Sequence, residues 1–290
     1  MADAALPAWL LPGFGLAFGL VVGSFLNVVI HRLPEGRSLA WPGSQCPRCQ
    51  VPIAFYDNVP VLSYLWLRGR CRHCREPISL RYPAIELLTG VVFAVLAHRF
   101  GLAPMTLVWM AFAAALIAAA GIDFDHHVIP DELSVGGLAV GLAVVPAVQA
   151  WQGAELWLAL RNAALGALLG GGLLWCVGFA HARVATALGR SFEHWPGEGE
   201  ALPKPASLDY WTWFPGLGFG DVKLLAMVGA FVGPARVIEC ILAAALAGLL
   251  LGLGWIAVTR RAGAPFGFAP AIAAGALLLV MFPALRLPLP

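Results

Sequence analysis

Long apolar runs recur along this sequence, and they constrain its fold more than any other feature. A helix that crosses a bilayer needs about 20 mostly apolar residues. Eight runs are candidates, and they lie near residues 9–30, 84–99, 103–122, 133–150, 159–181, 215–234, 237–258 and 266–285. The pattern predicts an all-α polytopic membrane protein with about eight transmembrane helices.

The composition is typical of a membrane protein. Hydrophobic residues make up 60% of the chain and charged residues only 12%, whereas roughly a quarter of an average soluble domain is charged. The net charge is only +2, so no nucleic-acid partner is expected. Asp3 and no basic residue precede the first apolar run. A secretory signal peptide begins with basic residues, so this run is predicted to be a retained transmembrane helix.

A polar stretch between the first two apolar runs divides the chain into parts. Residues 31–83 hold four of the six cysteines and no apolar run long enough to cross a bilayer. We therefore predict a first transmembrane helix in residues 1–30, a small soluble insert in residues 31–83, and a transmembrane helical bundle in residues 84–290. A second polar stretch follows the fifth run, and its Trp195, Trp211 and Trp213 are predicted to lie at the membrane interface.

The distribution of basic residues predicts the orientation of the chain. The insert carries eight arginines, and loops rich in Lys and Arg remain in the cytosol. If the insert is cytosolic, alternation through eight spans places all but four of the 18 basic residues on the cytosolic side. The span count and the charge bias agree, and together they predict a cytosolic insert.

Four cysteines in the insert form two pairs with the spacing of metal ligands. Cys46 and Cys49 belong to CPRC, and Cys71 and Cys74 belong to CRHC. Two such pairs suit two hairpin knuckles that bind one tetrahedral Zn²⁺. Four thiolates leave no open coordination position, so the zinc would be structural and would stabilise a small insert. Two disulfides or a redox pair are the alternatives, and a reducing cytosol argues against both.

Two carboxylates are predicted to lie within the membrane region, where an acid is a candidate functional group. The third run begins at Pro104 and reaches Asp123 after about 19 residues, or roughly 29 Å of helix, which places Asp123 at the cytosolic boundary. The sixth run ends outside at Pro234, so Asp221 should lie about 10 Å inside the same boundary. Both acids are therefore predicted on the cytosolic side.

Asp221 follows two glycines that make close approach of another chain possible. Gly218 and Gly220 let the backbone bend, so an extended substrate could lie there. The alternative is a helix start that Asp221 caps. Two acids in a low-dielectric site split their titrations, so that one stays protonated while the other is ionised. Aspartic proteolysis needs such a pair: one carboxylate activates water and one carboxylic acid polarises the scissile carbonyl.

Other acids and histidines near these positions have simpler explanations. Asp125, His126 and His127 are adjacent and cannot converge from one helical face on a metal, so a solvated loop is favoured. Asp131 and Glu132 follow Pro130 and suit the start of a helix. Glu86 has the same explanation, with contact to substrate as the alternative.

With these residues in view, the chain resembles the bacterial prepilin peptidases, the membrane aspartic proteases of type IV pilus and type II secretion systems. Five segments carry the resemblance in family order over nearly the whole length. They are Gly23–Pro34, the two CxxC pairs, Arg81–Glu86, Asp123–Pro130 and the GFGDVKLLA of residues 218–226.

The resemblance implies an activity and a place in the cell. It implies that Asp123 and Asp221 are the catalytic pair, and that the substrates are prepilins and pseudopilins with a short basic leader on the cytosolic side. It also implies a location in the bacterial inner membrane and, for many family members, N-methylation of the new N-terminus with S-adenosylmethionine. No glycine fingerprint after a predicted strand supports a methyltransferase fold, so that activity rests on the resemblance and has no assigned residues.

The charges of the predicted cytosolic segments suggest a different partner for each segment. The basic insert is expected to meet anionic membrane lipid. The remaining cytosolic segments carry more acids than bases, among them Glu193, Glu198 and Glu200, and this acidic rim is predicted to dock the basic leader.

Three other functions fit parts of the sequence. An ion-coupled transporter could use paired intramembrane carboxylates, although it predicts internal repeats that are not seen. A zinc-ribbon scaffold would need neither aspartate. A different intramembrane protease of the GxGD type shares the chemistry, but the cysteine insert favours the pilin class.

Overall fold

A computed structural model describes residues 7–190, 203–215, 217–260 and 267–283. Within these residues the protein is helical, with isolated β-bridges and no strand, which confirms the predicted all-α class. The α-helices are α1 Leu10–Arg32, α2 Leu62–Trp66, α3 Arg81–Phe100, α4 Pro104–His126, α5 Asp131–Trp151, α6 Leu156–Ala187, α7 Asp209–Thr212, α8 Phe219–Thr259 and α9 Ala269–Met281. A short 3-10 helix covers Phe55–Asp57.

Six of the described helices are long and apolar enough to cross a membrane, namely α1, α3, α4, α5, α6 and α8. The sixth and seventh predicted runs are the two halves of α8. They meet at Gly233, whose φ of 81° is non-helical, just before Pro234. Proline lacks the backbone N–H that would continue the helix, so the chain bends there. The eighth predicted run contains α9, which is shorter, with 13 residues.

The chain forms two compact units, and the first extends to His126 and includes Val280–Pro283. In this unit α1 packs along α3 through three glycines at intervals of four residues. A Cβ added to Gly15, Gly19 or Gly23 would lie 2.7 Å from a backbone atom of α3. Small residues at this spacing let two helix backbones approach closely in membrane proteins. The helix α4 packs on both α1 and α3.

The second unit begins at His127 and runs to Leu279, with the first half of α8 at its centre. A Cβ on Gly166 of α6 would lie only 2.0 Å from the carbonyl oxygen of Gly229, and one on Gly141 of α5 would lie 2.8 Å from Ala230. The second half of α8 instead exposes leucines such as Leu249 and Leu250, a surface suited to lipid.

The segment between α1 and α3 contains the two cysteine pairs and only short helical turns. Arg32 at the end of α1 binds this segment, because its guanidinium donates to the carbonyl oxygens of Ser38 and Gly43 at 3.1 and 3.3 Å. The division at residues 30 and 83 into a helix, an insert and a bundle stays a prediction.

Candidate metal centre and carboxylate sites

The four cysteines of the insert meet in one cluster. Their sulfur atoms all lie within 4.8 Å of one another. The Sγ atoms of Cys46 and Cys74 are 3.7 Å apart, and those of Cys49 and Cys71 are 4.0 Å apart. A tetrahedral ion with bonds of about 2.3 Å to sulfur requires separations of about 3.8 Å. The cluster therefore has the dimensions of a tetrathiolate metal site.

Each cysteine pair is held by the same local backbone arrangement. The N–H of Cys46 donates to the carbonyl of Val51 at 3.0 Å, and the N–H of Cys71 donates to that of Glu76 at 2.9 Å. The residue after each pair, Gln50 or Arg75, has a positive φ of 59° or 60°. Two knuckles of one design thus present their sulfurs to a common centre, as the sequence spacing predicts.

The thiols of this cluster differ in acidity. The backbone N–H of Cys49 donates to the sulfur of Cys46 and is the main cause that lowers the pKa of Cys46 to about 7. The backbone N–H of Glu76 favours the thiolate of Cys74, but desolvation and the neighbouring sulfurs outweigh it and raise the pKa of Cys74 to about 12. A bound cation would favour the ionised form of every one of these thiols, since it stabilises all four thiolates together.

The cysteines of the chain are free thiols. Even the 3.7 Å between Cys46 and Cys74 far exceeds the roughly 2.05 Å of a disulfide bond. This geometry supports metal binding over the alternative of two disulfides.

Asp123 lies in the last turn of α4 and is buried, with 5% of its surface exposed. Two residues later, Asp125 is exposed and forms an ion pair with Arg81 at the start of α3. His126 and His127 are also exposed, and α4 continues through His126. The last turn of α4 therefore has one buried carboxylate and one surface carboxylate, two residues apart.

Asp221 is the third residue of α8 and is also buried, with 8% of its surface exposed. Its N–H donates to the carbonyl of Gly218 at 3.1 Å. Gly218, which has no side chain, occupies the N-cap position with extended backbone angles. Asp221 is thus in the first helical turn, where the helix dipole favours a negative charge.

The two glycines of this segment lie close to the side chains of Asp221 and Ile129. A Cβ on Gly218 would lie 3.5 Å from Oδ2 of Asp221, and one on Gly220 would lie 3.1 Å from Cβ of Ile129. Lys223, one half-turn further, forms an ion pair with Asp131 at the start of α5. Asp131 therefore has a partner that its expected role at a helix start did not include. Lys223, a base inside an apolar run, was the signal in the sequence.

An aromatic anchor holds the chain that leads into Gly218. We use this name for Trp175, Phe179 and Arg183 of α6 together with Tyr210 and Trp211. The indole of Trp175 donates to the carbonyl of Trp211 at 2.8 Å, and the rings of Phe179 and Trp211 stack at 5.3 Å. The guanidinium of Arg183 lies 3.8 Å from the ring centre of Tyr210. The spacing of four residues along α6 was the signal available in the sequence.

Three glutamates and one tryptophan of the second polar stretch lie outside the described residues, which resume at Pro203. They are Glu193, Glu198 and Glu200 of the predicted acidic rim, and Trp195. Of the other predicted interfacial residues, Trp211 belongs to the aromatic anchor, and Trp213 packs near Phe214.

Buried polar groups also join α1, α3 and the insert. The amide of Asn27 donates to the carbonyl of Gly23 at 3.3 Å and to that of Tyr82 at 3.1 Å. Glu86, 8% exposed, accepts a hydrogen bond of 2.7 Å from the backbone N–H of Val61 in the insert. Glu86 therefore contacts the insert, which the expectation of a simple helix-start residue missed.

Comparison with known proteins gives consistent matches. Residues 17–100 match the family described as "Bacterial Peptidase A24 N-terminal domain", and residues 110–253 match the "Type IV leader peptidase family". No solved structure gives a significant match.

Three curated relatives illustrate the similarity. The "Prepilin leader peptidase/N-methyltransferase" of Burkholderia pseudomallei (strain 1026b) is 36% identical, over 97% of this chain and 88% of its own. The protein of the same name from Myxococcus xanthus is 35% identical, over 91% of this chain and 69% of its own. The "Type 4 prepilin-like proteins leader peptide-processing enzyme" of Escherichia coli O78:H11 is 34% identical, over 95% of each chain.

Long apolar helices and the family matches together define a class, that of helical membrane peptidases. Within this class, the chain belongs to the type IV leader peptidase family. This membership confirms the resemblance inferred from the five sequence segments.

Proposed function

We propose that this protein is an inner-membrane aspartic endopeptidase that removes the basic leader from type IV prepilins and pseudopilins and then methylates the new N-terminus. The observation that carries the proposal is that two aspartates are buried at ends of long apolar helices, Asp123 in α4 and Asp221 in α8. Family membership and the names of the relatives support the substrate class and both activities.

In this proposal Asp123 and Asp221 act on one water molecule. The ionised carboxylate takes a proton from the water, which attacks the carbonyl carbon of the scissile bond, and the protonated carboxyl donates a hydrogen bond to the carbonyl oxygen. The proton then passes to the leaving nitrogen as the C–N bond breaks. In the proposed pair the two carboxyl groups share one proton, because two carboxylates brought together in a low dielectric cannot both ionise.

Gly218 and Gly220 are proposed to admit the substrate backbone beside Asp221. Larger side chains at these positions would meet Asp221 or Ile129. The leader is proposed to stay on the cytosolic side with the insert, since the insert carries eight arginines and positive loops remain inside. The basic surface of the insert suits anionic lipid headgroups, which we propose as its second contact.

The cysteine cluster is proposed to bind Zn²⁺ in a structural role. Four thiolates complete the tetrahedron and leave no position for water or substrate. When bound, the ion supplies the cross-link between the two knuckles, while the buried aspartates supply the acid and base groups of the reaction.

The proposal is tested by neutralising each aspartate in turn. Purified protein is incubated with a prepilin, and the product mass is measured for Asp123→Asn, Asp221→Asn and the control Asp125→Asn. Either buried-site variant should lose at least about 100-fold in cleavage rate, the scale of general acid–base catalysis. Asp125→Asn should cleave normally, because Asp125 is exposed and pairs with Arg81.

Two results would contradict the peptidase mechanism. One is full cleavage by either buried-site variant. The other is proton or solute flux through the wild type in proteoliposomes together with no cleavage, which would favour the ion-coupled transporter.

A further inference from the structure

The first half of α8 packs along α5 and the residues just before it, all within the second compact unit. A Cβ on Gly220 would lie 3.1 Å from Cβ of Ile129, and a Cβ on Gly137 of α5 would overlap the sulfur of Met227. Ile129 and Met227 are both buried. Gly220 and Met227 are seven residues apart and therefore lie on one face of α8. We call this contact between the two helices the α5–α8 seam.

Lys223 brings a charge into this seam. It lies three residues after Gly220 and four before Met227, on the same face of α8. Its ammonium forms an ion pair with the carboxylate of Asp131, the first residue of α5. The helix dipole favours an anion at that position, whereas a cation in a long apolar helix is costly and is a candidate functional group. The ion pair with α5 compensates for the placement of Lys223.

Lys223 also contacts the turn that carries Asp221. Its ammonium lies 5.8 Å from the ring centre of Phe219, within the range of cation–π attraction. Phe219 in turn packs against the buried Ala182 and Phe214. Asp221 lies midway between Phe219 and Lys223 in the chain, so the residues on both sides of it are held. Side chains two residues apart do not face each other on a helix, so Lys223 acts on the carboxyl of Asp221 through the backbone of this turn.

The exposure of the ion pair indicates a role other than stability. The side chain of Lys223 is 25% exposed and that of Asp131 is 66% exposed. An ion pair with so exposed a partner contributes little to stability. The rate of a reaction is far more sensitive to geometry, because a misplacement of about 1 Å can slow it about 100-fold. A weak contact that orients a catalytic carboxyl can therefore matter much more for the rate than for the fold.

We propose that Lys223 and Asp131 are positioning residues for Asp221: their ion pair holds the first turn of α8 against the start of α5 and so fixes the direction of the Asp221 carboxyl. The inference rests on the proposed peptidase function and adds two residues to it. In this role neither residue touches the attacking water or the scissile bond.

Cleavage kinetics of the full-length protein in nanodiscs, with a prepilin as substrate, test the proposal. Lys223→Met keeps the length of the side chain and removes its charge. It should lower kcat at least about tenfold and leave KM within about twofold, because the substrate still binds while the carboxyl is misdirected. Asp131→Asn should have the same effect. Full activity of Lys223→Met would overturn the proposal.

Two further variants serve as rescue and control. Lys223→Arg retains a cation that can pair with Asp131, so it should keep at least about half of the wild-type kcat. Glu132→Gln neutralises the next residue of α5, which is also exposed, and should leave kcat unchanged. If Glu132→Gln lowers kcat as much as Asp131→Asn, the effect is one of general surface charge and the proposal fails.

The double variant tests whether the two residues act as a pair. If they act through one ion pair, Lys223→Met combined with Asp131→Asn should lower kcat no further than either change alone. Losses that multiply would show independent roles and would contradict the proposal. A raised KM with an unchanged kcat in Asp131→Asn would assign Asp131 to the basic leader of the substrate, which also contradicts it.

Thermal unfolding of the same variants separates positioning from stability. Melting temperatures should stay within about 3 °C of the wild type, since an exposed ion pair stabilises little. A loss of activity accompanied by a large fall in melting temperature would make the pair structural and would reject the positioning role.

The wild type and Asp221→Asn, measured in parallel, separate this inference from the proposed function. A wild type that does not cleave prepilin contradicts the proposed function and the inference with it. An active wild type, an inactive Asp221→Asn and a fully active Lys223→Met together overturn the inference alone and leave the peptidase intact.

Discussion

The cysteine insert and the start of α8 are built in opposite ways. The insert takes its form from short-range backbone hydrogen bonds and four sulfurs, and most of its residues are at least partly exposed. The first half of α8 takes its position from glycines on α5 and α6 that are distant in sequence. A small exposed region needs a cross-link because it buries too little surface to be stable by itself. A helix enclosed by others depends on close packing instead.

The largest expected effect comes from removing the proposed metal. Cys71→Ser should abolish metal binding, whose free energy is about 10 kcal/mol or more in small zinc domains. Limited proteolysis should then cut residues 31–83 rapidly while the α5, α6 and α8 helices stay resistant. Cys176→Ser is the control, because Cys176 lies in α6 away from the cluster. Unchanged protease resistance of the insert would show that the knuckles stay folded without metal.

An intermediate effect is expected where α6 meets α8. Gly166→Val should destabilise the second unit by about 3 kcal/mol, because its side chain would press on the carbonyl of Gly229 and overpacking typically costs 1–3 kcal/mol or more. Gly172→Val is the matched control, since a Cβ there meets nothing within 4 Å. Thermal unfolding in detergent measures both. Equal melting temperatures would show that the helices separate easily.

The smallest expected effect concerns the aromatic anchor. Arg183→Met removes a cation that lies 3.8 Å from the ring centre of Tyr210, an interaction of about 1 kcal/mol. It should raise hydrogen exchange in residues 204–218 and lower the cleavage rate a few-fold, with metal content unchanged. Arg190→Met serves as the control, because Arg190 is exposed and lies three residues after the end of α6. Identical hydrogen exchange in both variants would show that Arg183 does not help to position Asp221.

Much of the fold could be predicted from the chain alone. Apolar runs mark the helices because the bilayer requires about 20 such residues for each span. The pairs that begin at Cys46 and Cys71 predict knuckles, because two cysteines three residues apart are brought together by the local backbone alone. The bend at Gly233 lies next to a proline that the sequence shows. The sequence shows Lys223 as a base inside an apolar run, but it does not identify Asp131 as its partner or Val61 as the partner of Glu86, because each partner lies on a different segment.

The sequence by itself determined that the apolar runs are helical, where the paired cysteines lie and which aspartates stand in apolar surroundings, because these properties depend on residues within a few positions of one another. Only the tertiary structure decided that α1 lies against α3 through three glycines, that Arg183 reaches Tyr210, and that Glu86 accepts a hydrogen bond from the backbone of Val61. These features depend on distant segments coming within a few ångströms of each other, and close packing selects them only when the whole chain folds.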